Sequence, residues 1–352
     1  MLWIAMLVSF VMAMLITPLV RRFAYLIGAV DHPNARKVHV RTMPRIGGLA
    51  IFIAFLIGYA LLLPASRYND AILIGAVVIV LTGLIDDRFQ LSARVKLMGQ
   101  MIATVVVLNS GMRIEMINLP FDQQLYLGSW SIPVTVLWLI GITNAINLID
   151  GLDGLAAGVS SIALGTIALL AIIQGNVYLT MMALLLLAST LGFLVHNFYP
   201  AKIFMGDTGA LFLGYMLAVF SLIGFKNVTL FSLVVPVLLL GLPISDTIFA
   251  IVRRLVQGRP PMSPDKSHMH HQLIDMGFTT RQAVLLMYGM TLFFGIASIL
   301  FAKTTMLGAV ITFVIVLIVI ELIVESTELI HPNYKPLIQT SRRLLGRTKA
   351  AD

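Results

Sequence analysis

Long apolar segments alternate with short polar segments along the whole chain. Eleven of the apolar segments are predicted to cross a membrane as helices, with boundaries near 2–20, 46–65, 70–85, 95–110, 132–148, 155–173, 177–195, 209–225, 230–252, 283–302 and 305–324. The polar segments between them are too short to form a second, soluble domain. The pattern therefore predicts an all-α polytopic membrane protein, in which residues 1–352 form a single integral membrane domain.

One connecting segment has a different pattern. Residues 111–131 alternate between apolar and polar side chains and contain a Gly-Ser pair, so a small β-hairpin is predicted there. An odd number of spans places the two termini on opposite sides of the membrane. The hairpin is expected on the same side as the N-terminus.

Composition narrows the class of protein. Hydrophobic residues make up 59% of the 352 residues, charged residues make up 11%, and the mean hydropathy is +0.96. The chain has no cysteine, which excludes disulfides, thiolate zinc sites and a cysteine nucleophile. The ATP-binding pattern GxxxxGK[ST] is also absent, which argues against an ATP-driven motor.

Positive charge predicts the orientation. With the C-terminus in the cytoplasm, 20 of the 24 Lys and Arg residues lie on the cytoplasmic side, as expected for the inner face of a membrane. The cytoplasmic segments are then the loops 21–45, 86–95, 149–154, 196–208 and 253–282 and the tail 325–352. The net charge of +8 therefore indicates contact with anionic lipid rather than nucleic acid.

Titratable side chains are concentrated on the same face. All seven histidines and most of the acids fall on the predicted cytoplasmic side, where nucleotides are available. An ion-coupled transporter remains an alternative, because acids and histidines also mark transport pathways. A transporter should, however, place such residues near the middle of the bilayer or on both faces.

The segment LTGLIDDRFQLSARVKL ends an apolar run with two adjacent acids, Asp86 and Asp87. They could simply pair with Arg88 or Arg94. Adjacent carboxylates at a membrane boundary are more often functional, because they can share a divalent cation or act as a base. Lys96 lies about two and a half helical turns further on and could bind a phosphate.

The segment NAINLIDGLDGLAAG carries polar side chains at every third position: Asn144, Asn147, Asp150 and Asp153. An unbroken helix would turn these side chains to different sides, but Gly151 and Gly154 allow the backbone to break and gather them. Amide and carboxylate oxygens suit Mg²⁺ or Mn²⁺. Gly151 would also let a flat base approach the backbone. A glycine-rich helix contact is the structural alternative.

Three further segments carry candidate residues. In GDTGALFLG, Asp207 is either a helix N-cap or a metal ligand, and the two roles are compatible. In SPDKSHMHHQL, His268, His270 and His271 fit diphosphate binding better than zinc. The basic loop 31–48 contains Arg45. Asp246, within the ninth predicted span, is interpreted as a structural partner of Arg253.

Together these segments resemble the polyprenyl-phosphate N-acetylhexosamine-1-phosphate transferases, in the glycosyltransferase family 4. The shared motifs are DHPNxRKVH, PRxGG, GxxDDRFxLSARxKLxxQ, NAINLIDGLDGLAAG, GDTGALFLG and SPDKSHMHHxL, which extend over nearly the whole chain. The HMHH arrangement resembles the bacterial branch that uses UDP-N-acetylglucosamine and undecaprenyl phosphate. The branch that uses a muramoyl-pentapeptide nucleotide typically has three consecutive histidines there.

The resemblance implies roles for these residues. It implies Mg²⁺, with Mn²⁺ as an alternative, bound by Asp207 and Asn147, and an acidic pair, Asp86 and Asp87, that activates or positions the lipid phosphate. Asp150 is grouped with that catalytic pair. The residues implied to bind the substrates are Lys96, Asn144, Gly151, Asp153, His268, His270, His271 and Arg45.

The reaction implied by the resemblance is direct phosphoryl transfer. Undecaprenyl phosphate attacks the β-phosphorus of UDP-N-acetylglucosamine, UMP leaves, and the anomeric configuration of the sugar is retained. A route through a phosphorylated aspartate, such as Asp87, is the alternative. A GalNAc or muramoyl-pentapeptide donor is a second alternative. A bacterial plasma-membrane location, a product for teichoic acid or O-antigen synthesis and a homodimer are also compatible with the resemblance.

Overall fold

The structure is a computed structural model that describes residues 1–31, 42–118, 124–224, 234–258, 260, 268–327, 336–338 and 340. Helices dominate these residues. They are α1 Leu2–Ile27, α2 Gly48–Leu62, α3 Asn69–Phe89, α4 Ala93–Asn109, α5 Ser131–Leu148, α6 Leu155–Ile173, α7 Val177–Asn197, α8 Gly206–Gly224, α9 Val234–Leu239, α10 Gly241–Val256, α11 Met269–Asp275, α12 Thr280–Lys303 and α13 Met306–Thr327.

Helix length and hydropathy confirm an all-α, multi-pass membrane protein. Within the described residues, eight helices are long and apolar enough to cross a membrane. Two predicted spans are shorter as helices: α2 has 15 residues and α4 has 17. The ninth predicted span is broken between α9 and α10, where Pro243 lies in the first turn of α10 and needs no backbone N–H partner. The count of eleven spans and their orientation remain predictions.

Helix α8 lies at the centre of the bundle. It packs against α2, α3, α5 and α6, and 83% of its apolar stretch is buried. Helix α13 lies at the periphery, where only 17% of the corresponding stretch is buried. A helix that is apolar on all sides and exposed in a membrane protein faces lipid. The centre of the bundle is therefore α8, whose N-terminus carries the GDTG sequence.

Glycines allow α8 to approach its neighbours closely. A Cβ atom added at Gly48 of α2 would lie 2.0 Å from the Cα atom of Gly209. A Cβ atom added at Gly83 of α3 would lie 2.5 Å from the Cα atom of Thr208. Both contacts involve backbone at the start of α8. They bring the N-terminus of α8 beside the end of α3, which carries the adjacent acids.

Two short antiparallel strand pairs complete the fold. Strand β1 (Val30–Asp31) pairs with β2 (Met43–Pro44). Strand β3 (Met116–Asn118) pairs with β4 (Gln124–Tyr126), with Ile117 opposite Leu125. The second pair confirms the hairpin predicted within residues 111–131.

We expect Gly48→Ala to destabilise the protein, because the added methyl group would overlap the backbone of α8. Overpacking of this kind costs about 1–3 kcal/mol, which exceeds the helix propensity gained by alanine. The midpoint of thermal unfolding in detergent should fall. Gly141→Ala is the matched control, since nothing lies within 4 Å of an added Cβ atom there. Equal midpoints for the two variants would contradict the close packing of α2 on α8.

Candidate active site

The N-terminus of α8 is capped by an acid from another helix. The Asp87 carboxylate, at the end of α3, accepts hydrogen bonds from the backbone N–H groups of Asp207 (2.9 Å) and Thr208 (3.0 Å). It also accepts one from the Thr208 hydroxyl, at 2.6 Å. A carboxylate at a helix N-terminus satisfies orphan donors and is stabilised by the helix dipole. The capping acid is thus Asp87, and the carboxylate of Asp207 does not have to serve as the cap.

The glycine that precedes Asp207 makes this arrangement possible. Gly206 has a φ of +70°, in the left-handed region that favours glycine. A Cβ atom there would lie 1.6 Å from the carbonyl oxygen of Arg45 and 2.5 Å from Oδ2 of Asp87. The first glycine of GDTG therefore allows three chain segments to meet. These segments are α3, α8 and the segment that contains Arg45.

The Arg45 segment is held by the backbone that leads into α8. The Phe204 N–H donates to the Pro44 carbonyl at 2.8 Å, and the Gly47 and Gly48 N–H groups donate to the carbonyls of Phe204 and Met205 at 3.0 and 2.9 Å. A Cβ atom at Gly47 would lie 2.5 Å from the Phe193 ring. Because they have no side chain, the two glycines of the PRIGG sequence let this segment pack closely at the start of α8.

Arg45 is surrounded by carboxylates. Its Nε donates to Oδ1 of Asp87 at 3.1 Å, and its other nitrogens lie 3.8 Å from Asp207 and 3.9 Å from Asp31. Burial alone would lower the pKa of Arg45, but the neighbouring acids, Asp87 foremost, raise it overall. Arg45 is therefore a permanent positive charge inside the acidic cluster.

Asp86 has a different set of partners. Its Oδ1 accepts the Leu91 N–H at 2.7 Å, and Lys96 Nζ lies 3.4 Å from its Oδ2. The same Lys96 nitrogen donates to Oδ2 of Asp207 at 2.8 Å. The prediction that Lys96 follows along one helix was wrong, because α3 ends at Phe89 and α4 begins at Ala93. The chain turns between the helices and returns Lys96 to the acids.

Oxygen ligands for a divalent cation are present in this cluster. One carboxylate oxygen from each of Asp86, Asp87 and Asp207 lies within 4.8 Å of the others. Arg45 and Lys96 offset part of the negative charge of these three carboxylates. Carboxylate oxygens are the ligands that Mg²⁺ and Mn²⁺ take in proteins, so the residues fit such an ion. Among the described residues, this is the one group of three or more His and acidic side chains with metal-site spacing.

The NAINLIDGLDG segment forms a break between two helices, as predicted. Helix α5 ends at Leu148 and α6 begins at Leu155, with Gly154 at a φ of +75°. Asp150 lies in this break, and its backbone N–H donates to the Asn147 carbonyl at 3.2 Å. Burial raises the pKa of Asp150 to about 8, and the charges of Asp207 and Asp87 act in the same direction. Asp150 therefore lies close enough to respond to the charge of the acidic cluster.

The histidine segment packs against this break. A Cβ atom at Gly151 would lie 2.2 Å from Nε2 of His270, so the space predicted for a flat base is filled by an imidazole. Burial, together with His271, whose ring centre lies 4.2 Å away, lowers the pKa of His270 to about 3. His270 is therefore neutral at physiological pH, and it can act as a hydrogen-bonding group rather than as a cation.

Two other candidate residues have structural partners. The Asn144 amide pairs with Gln100 of α4: its Nδ2 donates to Gln100 Oε1 at 2.7 Å and its Oδ1 accepts from Gln100 Nε2 at 3.2 Å. Oδ2 of Asp153 accepts the Ala201 N–H at 2.9 Å. Asn144 thus joins α4 to α5, and Asp153 joins the helix break to the segment before α8. Any substrate contact by these groups remains a prediction.

Sequence reasoning did not single out Thr208, and it gave Asp246 a different partner. The hydroxyl and N–H of Thr208 both bind Asp87. Asp246 was interpreted as a partner of Arg253, but its carboxylate binds His268 and the Met269 N–H, each at 2.8 Å. An acid within an apolar segment that is predicted to cross the membrane is itself a functional signal, and it could have directed attention to Asp246.

Comparison with known proteins places these motifs in context. Residues 70–225 match the family model described as glycosyl transferase family 4. The chain is 46% identical over 350 residues to the probable undecaprenyl-phosphate N-acetylglucosaminyl 1-phosphate transferase of Bacillus subtilis, covering 98% of this chain and 97% of the relative. It is 37% identical over 342 residues to the decaprenyl-phosphate N-acetylglucosaminephosphotransferase of Mycobacterium tuberculosis, covering 83% and 82%. A similar enzyme of Yersinia pestis, undecaprenyl-phosphate alpha-N-acetylglucosaminyl 1-phosphate transferase, is 28% identical over 302 residues, covering 84% and 80%.

We expect Thr208→Val to weaken the capping of α8, because it removes the hydroxyl that donates to the buried Asp87 carboxylate. A hydrogen bond to a charged group contributes about 1.5–3 kcal/mol, so thermal unfolding should begin at a lower temperature. Thr208→Ser keeps the hydroxyl and is the matched control. Loss of stability in the serine variant as large as in the valine variant would show that packing, rather than the hydrogen bond, is responsible.

Proposed function

Because the chain belongs to glycosyl transferase family 4, we propose that it transfers N-acetylglucosamine-1-phosphate from UDP-N-acetylglucosamine to undecaprenyl phosphate and releases UMP. Identity of 46% over nearly the full length of a relative named for this activity supports the proposal. The acceptor named for the mycobacterial relative is decaprenyl phosphate, so the shared feature of the acceptors is a polyprenyl phosphate.

The observation that carries the proposal is an acidic and basic cluster on helices that also face lipid. Asp86 and Asp87 are buried, whereas Leu81, Ile85 and Phe89 are 52%, 47% and 69% exposed on the same helix, α3. These three apolar residues are spaced by four and share one helix face. A phosphate carried on a membrane-embedded chain can therefore approach the cluster from the bilayer, while a water-soluble donor approaches from outside it.

Two cations in the cluster suit a diphosphate. Arg45 and Lys96 both contact the carboxylates directly, and each has N–H donors that can turn to phosphate oxygens. Phosphoryl transfer depends mainly on positioning and on neutralising charge on the transferred group. We assign Arg45 and Lys96 to binding the diphosphate of the donor. His268, His270 and His271 are assigned to the sugar and diphosphate.

A divalent cation, Mg²⁺ in our proposal, would be held by Asp207 together with Asp86, and Asn147 is the proposed amide ligand. When bound, such an ion neutralises phosphate charge and polarises the P–O bond. The support for this assignment is the 4.8 Å spacing of the carboxylate oxygens and their chemical type. Mn²⁺ takes similar ligands and is the alternative ion.

The hydrogen bonds of Asp87 favour direct transfer. In this mechanism a phosphate oxygen of the lipid bonds to the β-phosphorus, the bond from that phosphorus to the bridging oxygen breaks, and the bridging oxygen leaves with UMP. A covalent route would require Asp87 to attack phosphorus. Both oxygens of Asp87 are already engaged, by Arg45, by two N–H groups of α8 and by the Thr208 hydroxyl. Asp87 is therefore better placed as a support for α8 than as a nucleophile.

Transfer of labelled sugar phosphate by the purified protein tests the proposed function. UDP-N-acetylglucosamine and undecaprenyl phosphate should give labelled lipid and UMP in equal amounts. Chelation should abolish the reaction and added Mg²⁺ restore it, while Asp207→Asn should lower turnover by at least about a hundredfold at any Mg²⁺ concentration, as expected for loss of a transition-state charge contact. Transfer only with a GalNAc or muramoyl-pentapeptide donor would support the proposed type of reaction and contradict the proposed donor. Full activity in chelator would remove the metal from the proposal.

Isotope exchange without lipid tests the direct mechanism. Labelled UMP should not enter UDP-N-acetylglucosamine when the acceptor is absent, because no phosphorylated enzyme forms. The same protein with undecaprenyl phosphate present should catalyse the exchange, which serves as the control. Exchange in the absence of lipid would favour the phosphorylated aspartate instead.

A further inference from the structure

Asp246 is a fully buried acid in helix α10. Its side chain has no exposure to solvent, and the segment that contains it is predicted to cross the membrane. Oδ1 accepts the Met269 N–H at 2.8 Å, and Oδ2 lies 2.8 Å from Nδ1 of His268. A buried carboxylate is costly unless both oxygens have partners, and this one has partners from a single segment, the start of α11.

These two bonds constrain His268 in two ways. His268 is the N-cap residue that precedes α11, and the hydrogen bond that the adjacent Met269 N–H donates to Asp246 fixes the backbone there. Because a carboxylate has no proton to donate, Nδ1 of His268 carries the hydrogen. Nε2 is then the ring nitrogen through which His268 can contact a ligand, as in other sites where a carboxylate sets the orientation of a histidine.

The constraint extends from His268 to the helix break. The rings of His268 and His270 are parallel, with an angle of 4° between their planes and 6.0 Å between their centres. His270 in turn lies on Gly151, next to Asp150. A shift of His268 would therefore be passed to the segment that borders the acidic cluster.

We propose that Asp246 is a positioning residue, which acts on the transfer reaction through His268 and makes no contact with the substrates. This inference rests on the proposed function, because His268 is assigned there to the donor. The neighbouring hydroxyls on α10 have a different role: those of Ser245 and Thr247 bond to carbonyls of their own helix, at 3.0 and 2.8 Å. They provide matched controls.

A double-mutant cycle tests whether Asp246 acts through His268. Asp246→Asn preserves shape and can still accept the Met269 N–H, but its amide no longer requires a hydrogen on Nδ1. We expect it to lower kcat/KM for UDP-N-acetylglucosamine by about 10- to 100-fold, by analogy with the loss of a group that orients a metal-binding histidine. In a His268→Gln background the same change should lower it less than about twofold. Equal losses in both backgrounds would overturn the proposal.

Nitrogen-15 spectra of the histidine rings test the contact without using activity. The His268 signals are assigned by their loss in His268→Gln. In the wild type Nδ1 of His268 should be the protonated nitrogen, and in Asp246→Asn the hydrogen should move to Nε2. Ser245→Ala and Thr247→Val should leave these signals and the transfer rate unchanged. An unaltered His268 spectrum in Asp246→Asn would overturn the proposal.

A replacement variant and the pattern of results distinguish the possible failures. Should Asp246→Asn not fold, Asp246→Ser replaces it, since serine is too short to keep the carboxylate contact with Nδ1 of His268. A wild-type protein without transfer activity would refute the proposed function, and the spectra would still decide the contact. An active wild type with additive losses would refute only the role of Asp246.

Discussion

The capping of α8 by Asp87 is the interaction on which the rest of the site depends. One carboxylate closes the N-terminus of the most buried helix, joins it to α3 and receives Arg45. In a membrane, an uncapped helix end inside the bundle would leave backbone donors without partners, at a cost of several kcal/mol in total. The acid that the cap requires is therefore also the acid around which the cluster is assembled.

The cluster is stable because each carboxylate has a cation or a helix N-terminus beside it. Asp207 lies between Lys96 and Arg45, which approach from different helices and loops. The acids of the cluster outnumber these two cations, which suits the cluster to attract a divalent cation. The cluster can therefore bind a cation through its carboxylates and a phosphate through Arg45 and Lys96. Bringing so many charges together costs less free energy at the ends of helices than it would in the apolar interior.

At most of these contacts glycine is needed because it has no side chain, and not because its backbone is flexible. Gly48 and Gly83 allow two helices to touch the backbone of α8, and Gly151 admits the His270 ring. These positions explain why glycine accompanies the polar residues of the motifs so regularly. A side chain at any of them would separate the groups that the site brings together.

The sequence by itself determined the helical membrane fold, the hairpin, the break between α5 and α6, and the acids and bases that form the site. Those features follow from local hydropathy, glycine placement and side-chain chemistry, which need no knowledge of neighbours. Only the tertiary structure decided which groups meet: that Asp87 caps α8, that Lys96 returns to Asp86 after a turn, and that Asp246 holds His268. Their partners lie 120, 10 and 22 residues apart. Pairing across a folded bundle depends on how whole helices pack, and the spacing of residues along a single helix does not contain that information.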